Sequence, residues 1–372
     1  MIRQPDRTRP HPLTPPPGRA GAMVLAAAIL PAIVALAGPL LLAGPVRAEA
    51  PRFTTAEFGW LDRLCRMTGA AAPSPAALAI AGTAAREHDA FGGHVIGPGG
   101  TMIRFGAVEA DVVRDEAAGR GVPWRQVMRY WETLGPLTEG PLQARRIQRL
   151  TEDSGATGAG DLVPLADLLA RLRGTSLPEP ERDALVQAAL RAAAVDIPWS
   201  AAFVSHVVVT AGVSRVRFQA SMAHFDFVAE AARRSRDEAQ GLSPGAFYRA
   251  CDPRATPLRP GDLLCLHRHD PAAVGDGYAA LVPALAMGVR PVWNLHCDVV
   301  VAADRRRRLA TLIGGNVLQS VARRDLRIDR RGILARPRHV RSCPQEGRIG
   351  PLCQPEAAPW FVVLQATDPA DP

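Results

Sequence analysis

The sequence predicts an α+β fold, with a run of helices followed by an antiparallel sheet. Between residues 53 and 236, apolar residues recur at helical spacing, and the segments are bounded by glycine, proline and small polar residues. From residue 260 onwards, short apolar runs alternate with tight turns, as in strands joined into a meander. Because helices and strands occupy separate stretches of the chain, the pattern favours α+β over an alternating α/β sheet.

Seven segments carry helix signals. The first covers residues 53–69, where Thr54 and Glu57 have the spacing of a capping box. The second follows Ser74-Pro75 and is ended by the glycine pair after residue 91. The third helix begins near residue 123. The remaining four cover about residues 161–173, 181–194, 198–211 and 221–236.

Five segments after residue 260 are assigned to strands. Pro260-Gly261-Asp262 forms a tight turn in front of the first strand, and Asp262 is expected to fix that turn through backbone hydrogen bonds. Residues 269–294 form an insertion without a clear pattern. The strands cover residues 263–266, 295–301, 309–313, 320–328 and 333–340.

The chain divides into five parts on composition. Residues 151–160 are rich in glycine, threonine and serine, which indicates a linker and a soft boundary. The parts are a leader or anchor at residues 1–48, a helical N-terminal region at 51–150, the linker at 151–160, an α+β domain at 161–340 and a C-terminal extension at 341–372.

Residues 1–48 have the pattern of a targeting segment. Four arginines precede an apolar stretch from about residue 22 to 43, and Val46-Arg47-Ala48 then forms a small-x-small cleavage site. We therefore expect export to the periplasm or cell envelope. The apolar stretch is long for a leader, so an uncleaved membrane anchor is the competing interpretation, although Pro31, Gly38 and Pro39 favour cleavage.

The basic charge of the chain does not by itself indicate a nucleic-acid partner. The formal net charge is +8 and the pI is near 9.9, but every basic side chain other than histidine is arginine and alanine is abundant, which indicates codon bias. The densest run, Arg305-Arg306-Arg307-Arg308, falls between two strands, where a solvated turn is expected. Attraction to an anionic envelope polymer stays open.

Six cysteines all follow the expected cleavage site, and their even number permits disulfides in an oxidising compartment. Cys343 and Cys353 bracket a short polar segment and are predicted to pair. Cys265 and Cys297, on strands that can be neighbours, form a second predicted pair. No CxxC motif is present, so neither a structural zinc site nor any other metal or cofactor is expected.

Ser200 is the candidate nucleophile. Asp196 and Pro198 precede an apolar run, so Ser200 falls in the first turn of a helix that ends before Gly212. A group in that turn lies near backbone N–H groups without intrahelical partners and at the positive end of the helix dipole, which favours a nucleophile and its oxyanion. The alternative is an ordinary core helix with a small first-turn residue.

His296 is the candidate base. Side chains alternate along a strand, so His296 and Asp298 share one face while Cys297 points the other way. Either Asp298 or Asn316 can then accept from the second imidazole nitrogen, giving nucleophile, base and orienting group. Two other histidines are set aside: His206, six residues after Ser200, is turned about 120° around the helix, and His224, near a helix start, is assigned to packing.

Five motifs in order carry a family resemblance: PWSAAFVS, SMAHFDFV, RPGDLLC, HCDVVV and IGGNVLQSV. Trp-Ser at a helix start, Gly-Asp before a strand, a strand histidine and then Asn316 resemble the NlpC-type and cysteine-histidine amidohydrolase (CHAP) cell-wall peptidases, with Ser200 replacing their cysteine. The motifs resemble more closely a bacterial exported family called domain of unknown function 2272, over about residues 180–335.

This resemblance implies a papain-like domain with helices packed on an antiparallel sheet. It implies an exported hydrolase that cleaves an amide of peptidoglycan or an envelope peptide through Ser200, His296 and Asn316, with Asp298 as the alternative orienting residue. A serine alcohol, unlike a thiol, needs a general base to remove its proton during attack. Two alternatives stay open: a binding module with the same cleft but no turnover, and a structural envelope role.

Cleavage after Ala48 is the first testable prediction, because small residues occupy positions 46 and 48 after the helix-breaking Pro45. Mass spectrometry of the exported protein should find Glu49 at its N-terminus. An intact leader recovered from the membrane fraction would instead establish an anchor.

Overall fold

The computed structural model describes residues 55–98, 100–112, 121–136, 146–148, 162–242, 246–267, 277–289, 295–335 and 360–367. The chain divides into two units, Met1–Ala48 and Glu49–Pro372, and all described residues belong to the second. The predicted leader, the linker and the Cys343–Cys353 pair lie outside the described residues. The boundaries assigned from the sequence therefore stay predictions.

The described residues form a mixed α+β structure, as the sequence predicts. Its helices are α1 (Thr55–Ala70), α2 (Pro75–Phe91), α3 (Pro123–Glu132), α4 (Leu165–Arg173), α5 (Glu179–Val195), α6 (Ser200–Thr210), α7 (His224–Ala239) and α8 (Tyr278–Ala286). Its strands are β1 (Val95–Ile96), β2 (Met102–Arg104), β3 (Arg146–Gln148), β4 (Leu162–Pro164), β5 (Tyr248–Cys251), β6 (Leu263–His267), β7 (Leu295–Asp304), β8 (Leu309–Val317), β9 (Ser320–Arg327) and β10 (Trp360–Ala366).

Eight of the strands form one sheet in the order β2-β1-β9-β8-β7-β6-β10-β5, and β3 pairs with β4 separately. Strands β6 to β9 form the expected antiparallel meander, with Cys265 opposite Cys297 and Leu312 opposite Arg324. Strand β1 joins the sheet parallel to β9, so the N-terminal region contributes to the same sheet as the meander.

Local signals place the helix ends where the sequence predicts them most clearly. The Ser74 side chain accepts from Ala77 N, Pro75 opens α2, and Gly92 ends it in the left-handed conformation (φ 69°). Helix α6 is apolar on nearly every side, and it packs against α2, α3, β7 and β8. A helix of that composition has to be buried, and α6 lies within the hydrophobic core.

The aromatic centre of the core surrounds the start of α6. The ring of Trp199 is fully buried, with its centroid 6.1 Å from that of Phe91 and 5.6 Å from that of Tyr130. Tyr130 also meets Phe203 edge to face, with centroids 5.4 Å apart. Because these rings come from α2, α3 and α6, residues before and after the predicted linker share one core.

Two disulfides connect the described residues. Cys265 and Cys297 pair across β6 and β7 with Cα atoms 4.0 Å apart, which confirms the second pairing predicted from the sequence. Cys65 on α1 pairs with Cys251 on β5, with Cα atoms 5.9 Å apart and a sequence separation of 186. The Cys65–Cys251 bond ties α1 to β5 at the edge of the sheet. No sequence pattern indicates this pairing, because the two cysteines are distant along the chain.

Several elements differ from the sequence assignment. Trp360–Ala366, assigned to an extension, is β10, an interior strand between β6 and β5, and all but its first residue are buried. Part of the insertion is a helix, α8, although Pro283 lies inside it. Residues 333–340 contribute a single bridge between Ile328 and Leu334 rather than a fifth strand in the part that the structure describes.

Among the described residues, no single helix is long and apolar enough to cross a membrane. The only arrangement that satisfies both criteria there is the pair α5 and α6 taken together, which bends by 95° between the two helices.

The Cys65–Cys251 disulfide should contribute strongly to stability, because it closes a long loop of chain. Replacing both cysteines with alanine is expected to lower the free energy of unfolding by about 2–5 kcal/mol. Urea denaturation without reductant measures the loss, and peptide mapping of the unreduced wild type should recover the linked peptides. An unchanged urea midpoint would mean that the bond does not constrain the folded protein.

Candidate active site

Ser200 is the first residue of α6, where the sequence places the nucleophile. Its side chain is 6% exposed, and the preceding residue, Trp199, is the N-cap, without a side-chain cap for the helix. Phe203 N donates to Trp199 O, which is the first intrahelical bond, so the N–H groups of the residues before Phe203 have no intrahelical partner. The helix start therefore presents both a hydroxyl and backbone donors.

His224 is the residue that contacts Ser200. Its Nε2 lies 2.8 Å from Ser200 Oγ, so a neutral imidazole accepts the hydroxyl proton in this bond. His224 opens α7 and is 5% exposed. The structure thus joins two helix starts, α6 and α7, through a nucleophile and a base.

Two hydrogen bonds between the Ser205 side chain and the Ser221 backbone, here called the Ser205–Ser221 lock, fix the segment before His224. Ser205 Oγ, on α6, donates to Ser221 O and accepts from Ser221 N, each at 2.9 Å. Ser221 Oγ accepts from Ala223 N at 3.0 Å and lies 2.5 Å from Asp226 Oδ2, to which it donates. The N-cap of α7 is Ala223, whose side chain does not cap the helix. The Ser221 bonds therefore fix the chain just before the helix start and hold His224 beside Ser200.

From the sequence, His224 is assigned to packing and His296 to the role of base, whereas the structure places His224 within hydrogen-bond distance of Ser200. The His296 ring packs edge to face with that of His224, with ring centroids 5.1 Å apart. The sequence signal for His224 is its position in the motif SMAHFDFV, at the start of the helix that follows the one carrying Ser200. Sequence spacing alone does not show that two helix starts converge.

His296 is bound to Asp298, as the sequence analysis proposed for the orienting pair. His296 Nε2 donates to Asp298 Oδ1 at 2.8 Å, and Arg324 Nε lies 3.0 Å from Asp298 Oδ2. Asp298 is fully buried, which raises the pKa of its carboxyl, but Arg324, His296 and His224 outweigh that effect and lower it to about 2. Asp298 is therefore a permanent buried anion next to the two histidines.

Arg324 reaches Asp298 across an intervening strand. Asp298 is on β7 and Arg324 on β9, and strands two places apart in a sheet are separated by about 10 Å. A Cβ on Gly314, in the strand between them, would overlap Asp298 Oδ1. The glycine thus leaves room for the carboxylate.

Asn316 supports the helix start through its side chain. With its amide oriented to satisfy both of its ends, the Asn316 oxygen accepts from Trp199 N at 3.1 Å and from Trp199 Nε1 at 3.2 Å. Its backbone is left-handed (φ 54°), a conformation that asparagine tolerates better than most residues. A Cβ on the preceding Gly315 would overlap Phe203 Cβ, so the Gly-Gly-Asn motif fits α6 closely.

Asp262 has the structural role that the sequence analysis gave it. Its carboxylate accepts from Arg259 N at 3.0 Å and from Ala366 N at 2.9 Å, which closes the turn and attaches β10. Burial raises its pKa to about 6, an effect that Arg259 and the two backbone donors oppose. Gly261 is left-handed (φ 91°), and a Cβ there would overlap the backbone of Ala77.

His206 belongs to a separate polar cluster between α2, α3 and α6. Its Nδ1 lies 2.8 Å from Thr133 Oγ1, and its Nε2 lies 3.6 Å from Glu87 Oε1. Glu87 also accepts from Gln126 and Tyr130. Burial raises the pKa of Glu87, but these donors and His206 lower it overall. His206 is thus directed away from Ser200, in agreement with the sequence-based angle.

In chemical terms the site contains a nucleophile–base pair, a buried carboxylate and the N–H donors of a helix start. Within the ranges that the structure describes, no group of three or more histidine, cysteine or acidic side chains is arranged to hold a metal ion.

A family model described as "Uncharacterized protein conserved in bacteria (DUF2272)" matches residues 174–366, just over half of the chain. The chain belongs to this bacterial family. The DUF2272 region includes Ser200, His224, His296, Asp298 and Asn316, and β10 at its end. No curated protein and no solved structure matches the chain.

Asp298 should make stability sensitive to acid, because its pKa is about 2 in the folded protein against 3.8 for an ordinary aspartate. A lowered folded-state pKa contributes stability above pH 3.8, and this contribution is lost as pH falls towards 2, by about 2 kcal/mol. The Asp298→Asn variant has no carboxylate at this position, so it does not have this pH-dependent contribution to stability. The difference in unfolding free energy between wild type and variant, measured by urea denaturation, should therefore narrow between pH 4 and pH 2.

A difference that stays constant over this range would show that the Asp298 carboxyl titrates like an exposed one. Exposed Asp304→Asn, in the β7–β8 turn, provides the matched control.

Proposed function

We propose that this protein is an exported hydrolase that cleaves an amide bond of the cell envelope, with Ser200 as nucleophile and His224 as general base. The observation that carries the proposal is the 2.8 Å hydrogen bond between Ser200 Oγ and His224 Nε2 at the start of α6. A serine within hydrogen-bond distance of an imidazole is the minimal arrangement for nucleophilic catalysis by an alcohol.

The proposed reaction follows acyl transfer. As Ser200 Oγ attacks the carbonyl carbon, His224 Nε2 takes the hydroxyl proton, and the carbonyl oxygen becomes an oxyanion near the backbone N–H groups that open α6. The tetrahedral intermediate then collapses, the C–N bond breaks, and His224 returns the proton to the leaving amine. Water, deprotonated by His224, releases the acyl group and restores Ser200.

His296 and Asp298 support the base in this proposal. The imidazolium that forms on His224 is attracted by the buried charge of Asp298, whose carboxylate stays ionised at all physiological pH values. His296 lies between the two groups and fixes the carboxylate through its 2.8 Å bond. Asp298 therefore favours the charged form of His224 that exists only during the reaction.

The substrate class rests on location and resemblance. The predicted leader directs the chain to the envelope, and two disulfides suit an oxidising compartment. A nucleophile-bearing helix start packed against β7 and β8 also suits the papain-like arrangement of NlpC-type and CHAP peptidases, which act on peptidoglycan peptides. Peptidoglycan or an envelope peptide is the ligand we propose.

The second candidate is a binding module that keeps the cleft without turnover. It is favoured by the burial of both reacting side chains, since Ser200 and His224 are only 6% and 5% exposed. A substrate has to reach Ser200 Oγ for hydrolysis, whereas binding needs only the surrounding surface.

Two assays separate the chemistry from the substrate. A fluorophosphonate probe should label wild-type Ser200, identified by mass spectrometry, because it reacts with activated serines whatever their natural substrate. Purified sacculi should release muropeptides with wild type and not with Ser200→Ala. His224→Ala should lower the rate by about 10³-fold, and His296→Ala by less, because the imidazole within hydrogen-bond distance of Ser200 Oγ is that of His224.

Ser214→Ala, at an exposed serine beyond the end of α6, is the matched control and should behave as wild type. Digestion that survives Ser200→Ala would remove Ser200 as the nucleophile. Wild type that is neither labelled nor active, but sediments with sacculi as well as Ser200→Ala does, would establish the binding module.

A further inference from the structure

Glu109 contacts the residue immediately before Ser200, although it lies well upstream of the DUF2272 region. Its carboxylate accepts from Trp199 Nε1 at 2.5 Å. Glu109 is buried, and burial together with the nearby charge of Asp196 raises the pKa of its carboxyl despite the bond from Trp199. Burying a carboxyl costs stability, and the hydrogen bond from the Trp199 indole offsets part of that cost.

The segment that carries Glu109, after β2, and His94, before β1, both hold the turn between β8 and β9. Glu109 N donates to Gln319 O at 2.7 Å, and His94 Nε2 donates to Leu318 O at 3.1 Å. Leu318 and Gln319 both have left-handed backbones, with φ of 52° and 61°, which non-glycine residues adopt at a cost. The carbonyl groups of the two strained residues are thus bound from both sides of the β1–β2 hairpin.

Asn316, at the end of β8, completes the arrangement. Its side-chain oxygen accepts from the backbone N–H of Trp199 at 3.1 Å and, at 3.2 Å, from the indole N–H that also donates to Glu109 at 2.5 Å. Trp199 is thus held at its main chain by Asn316 and at its ring by Glu109 together with Asn316. Its next neighbour in the chain is Ser200, so the position of Trp199 sets the position of the Ser200 hydroxyl.

We propose that Glu109 is a positioning residue for Ser200, which acts by holding the Trp199 indole so that Ser200 Oγ stays within reach of His224. The proposal rests on the proposed function. The segment from His94 to Glu109 is then part of the active site, although the family region begins only at residue 174. Glu109 does not touch the reacting atoms.

The test uses a Ser200→Cys background, in which the thiol at position 200 reports its pairing with His224 without any need for a substrate. The rate of alkylation by iodoacetamide is measured against pH, with modification at residue 200 quantified by mass spectrometry. A thiol that pairs with an imidazole forms thiolate below the pH at which a free cysteine does. Adding Glu109→Ala should slow alkylation at pH 7 about 10-fold and move the profile to higher pH.

Glu109→Gln is the conservative variant, since its amide oxygen still accepts from the indole N–H. It should stay within about 3-fold of the parent, which a purely electrostatic role of Glu109 would not allow. Exposed Glu132→Ala, on α3, is the matched control and should leave the profile unchanged. Thermal melting of each variant separates a local change at residue 200 from loss of the fold.

A second measurement follows the contact directly. The indole N–H resonance of Trp199, assigned with Trp199→Phe, should shift upfield in Glu109→Ala and much less in Glu109→Gln. An unmoved resonance, or a parent-like alkylation profile in Glu109→Ala, would overturn the positioning role. If the thiol of the Ser200→Cys parent reacts no faster than a free cysteine, that result would instead overturn the proposed function, whatever the indole resonance shows.

Discussion

The close approach of α6 to β8 is the constraint on which the site depends. The helix start can lie directly on the strand because Gly315 has no side chain where Phe203 and the Trp199 ring pack. A helix whose surface is almost wholly apolar gains from this contact on several sides, and its burial fixes the direction in which its first turn points. The position of Ser200 is therefore a consequence of core packing before it is a matter of chemistry.

Gly314, the residue before Gly315, makes the buried ion pair between Asp298 and Arg324 possible. Gly314 leaves room for the Asp298 carboxylate, and Arg324 then reaches it from the far side of β8. An isolated buried carboxylate would be too costly, and Asp298 is stable only because Arg324 and His296 both contact it. Arg324 stacks in turn over Trp360, at 5.5 Å from the ring, so the ion pair is connected to β10.

The N-terminal helices are joined to the sheet by polar contacts as well as by the core. Arg249 on β5 pairs with Glu238 on α7, and it also donates to Gln365 on β10 and to Thr68 on α1. The Cys65–Cys251 disulfide lies between the same elements. Burial of a charged pair with all its partners present restricts how α1, α7 and the sheet edge can be assembled. This restriction suits a fold in which α1 is far in sequence from β5 and β10.

Local signals in the sequence determined most of the helices and most of the meander, but not α8. Ser74 and Gly92 bound α2 because their side-chain and backbone preferences act within a few residues. The apolar run around Cys297 indicated its strand, and the pairing with Cys265 followed because the two strands can be neighbours. Asp196 and Pro198 placed Ser200 in the first turn of a helix through local preferences of the same kind. Asp298 next to His296 followed from strand periodicity, since residues two apart share a face.

Tertiary structure alone decided which histidine meets Ser200, what Asn316 holds and where β10 lies. His224 is 24 residues from Ser200, and no periodicity relates two separate helices, so their convergence depends on the Ser205–Ser221 lock and on shared packing. Glu109 and β10 reach their places from opposite ends of the chain. Contacts between residues so distant in sequence arise because one common core is buried. The local sequence around each residue does not indicate its partner.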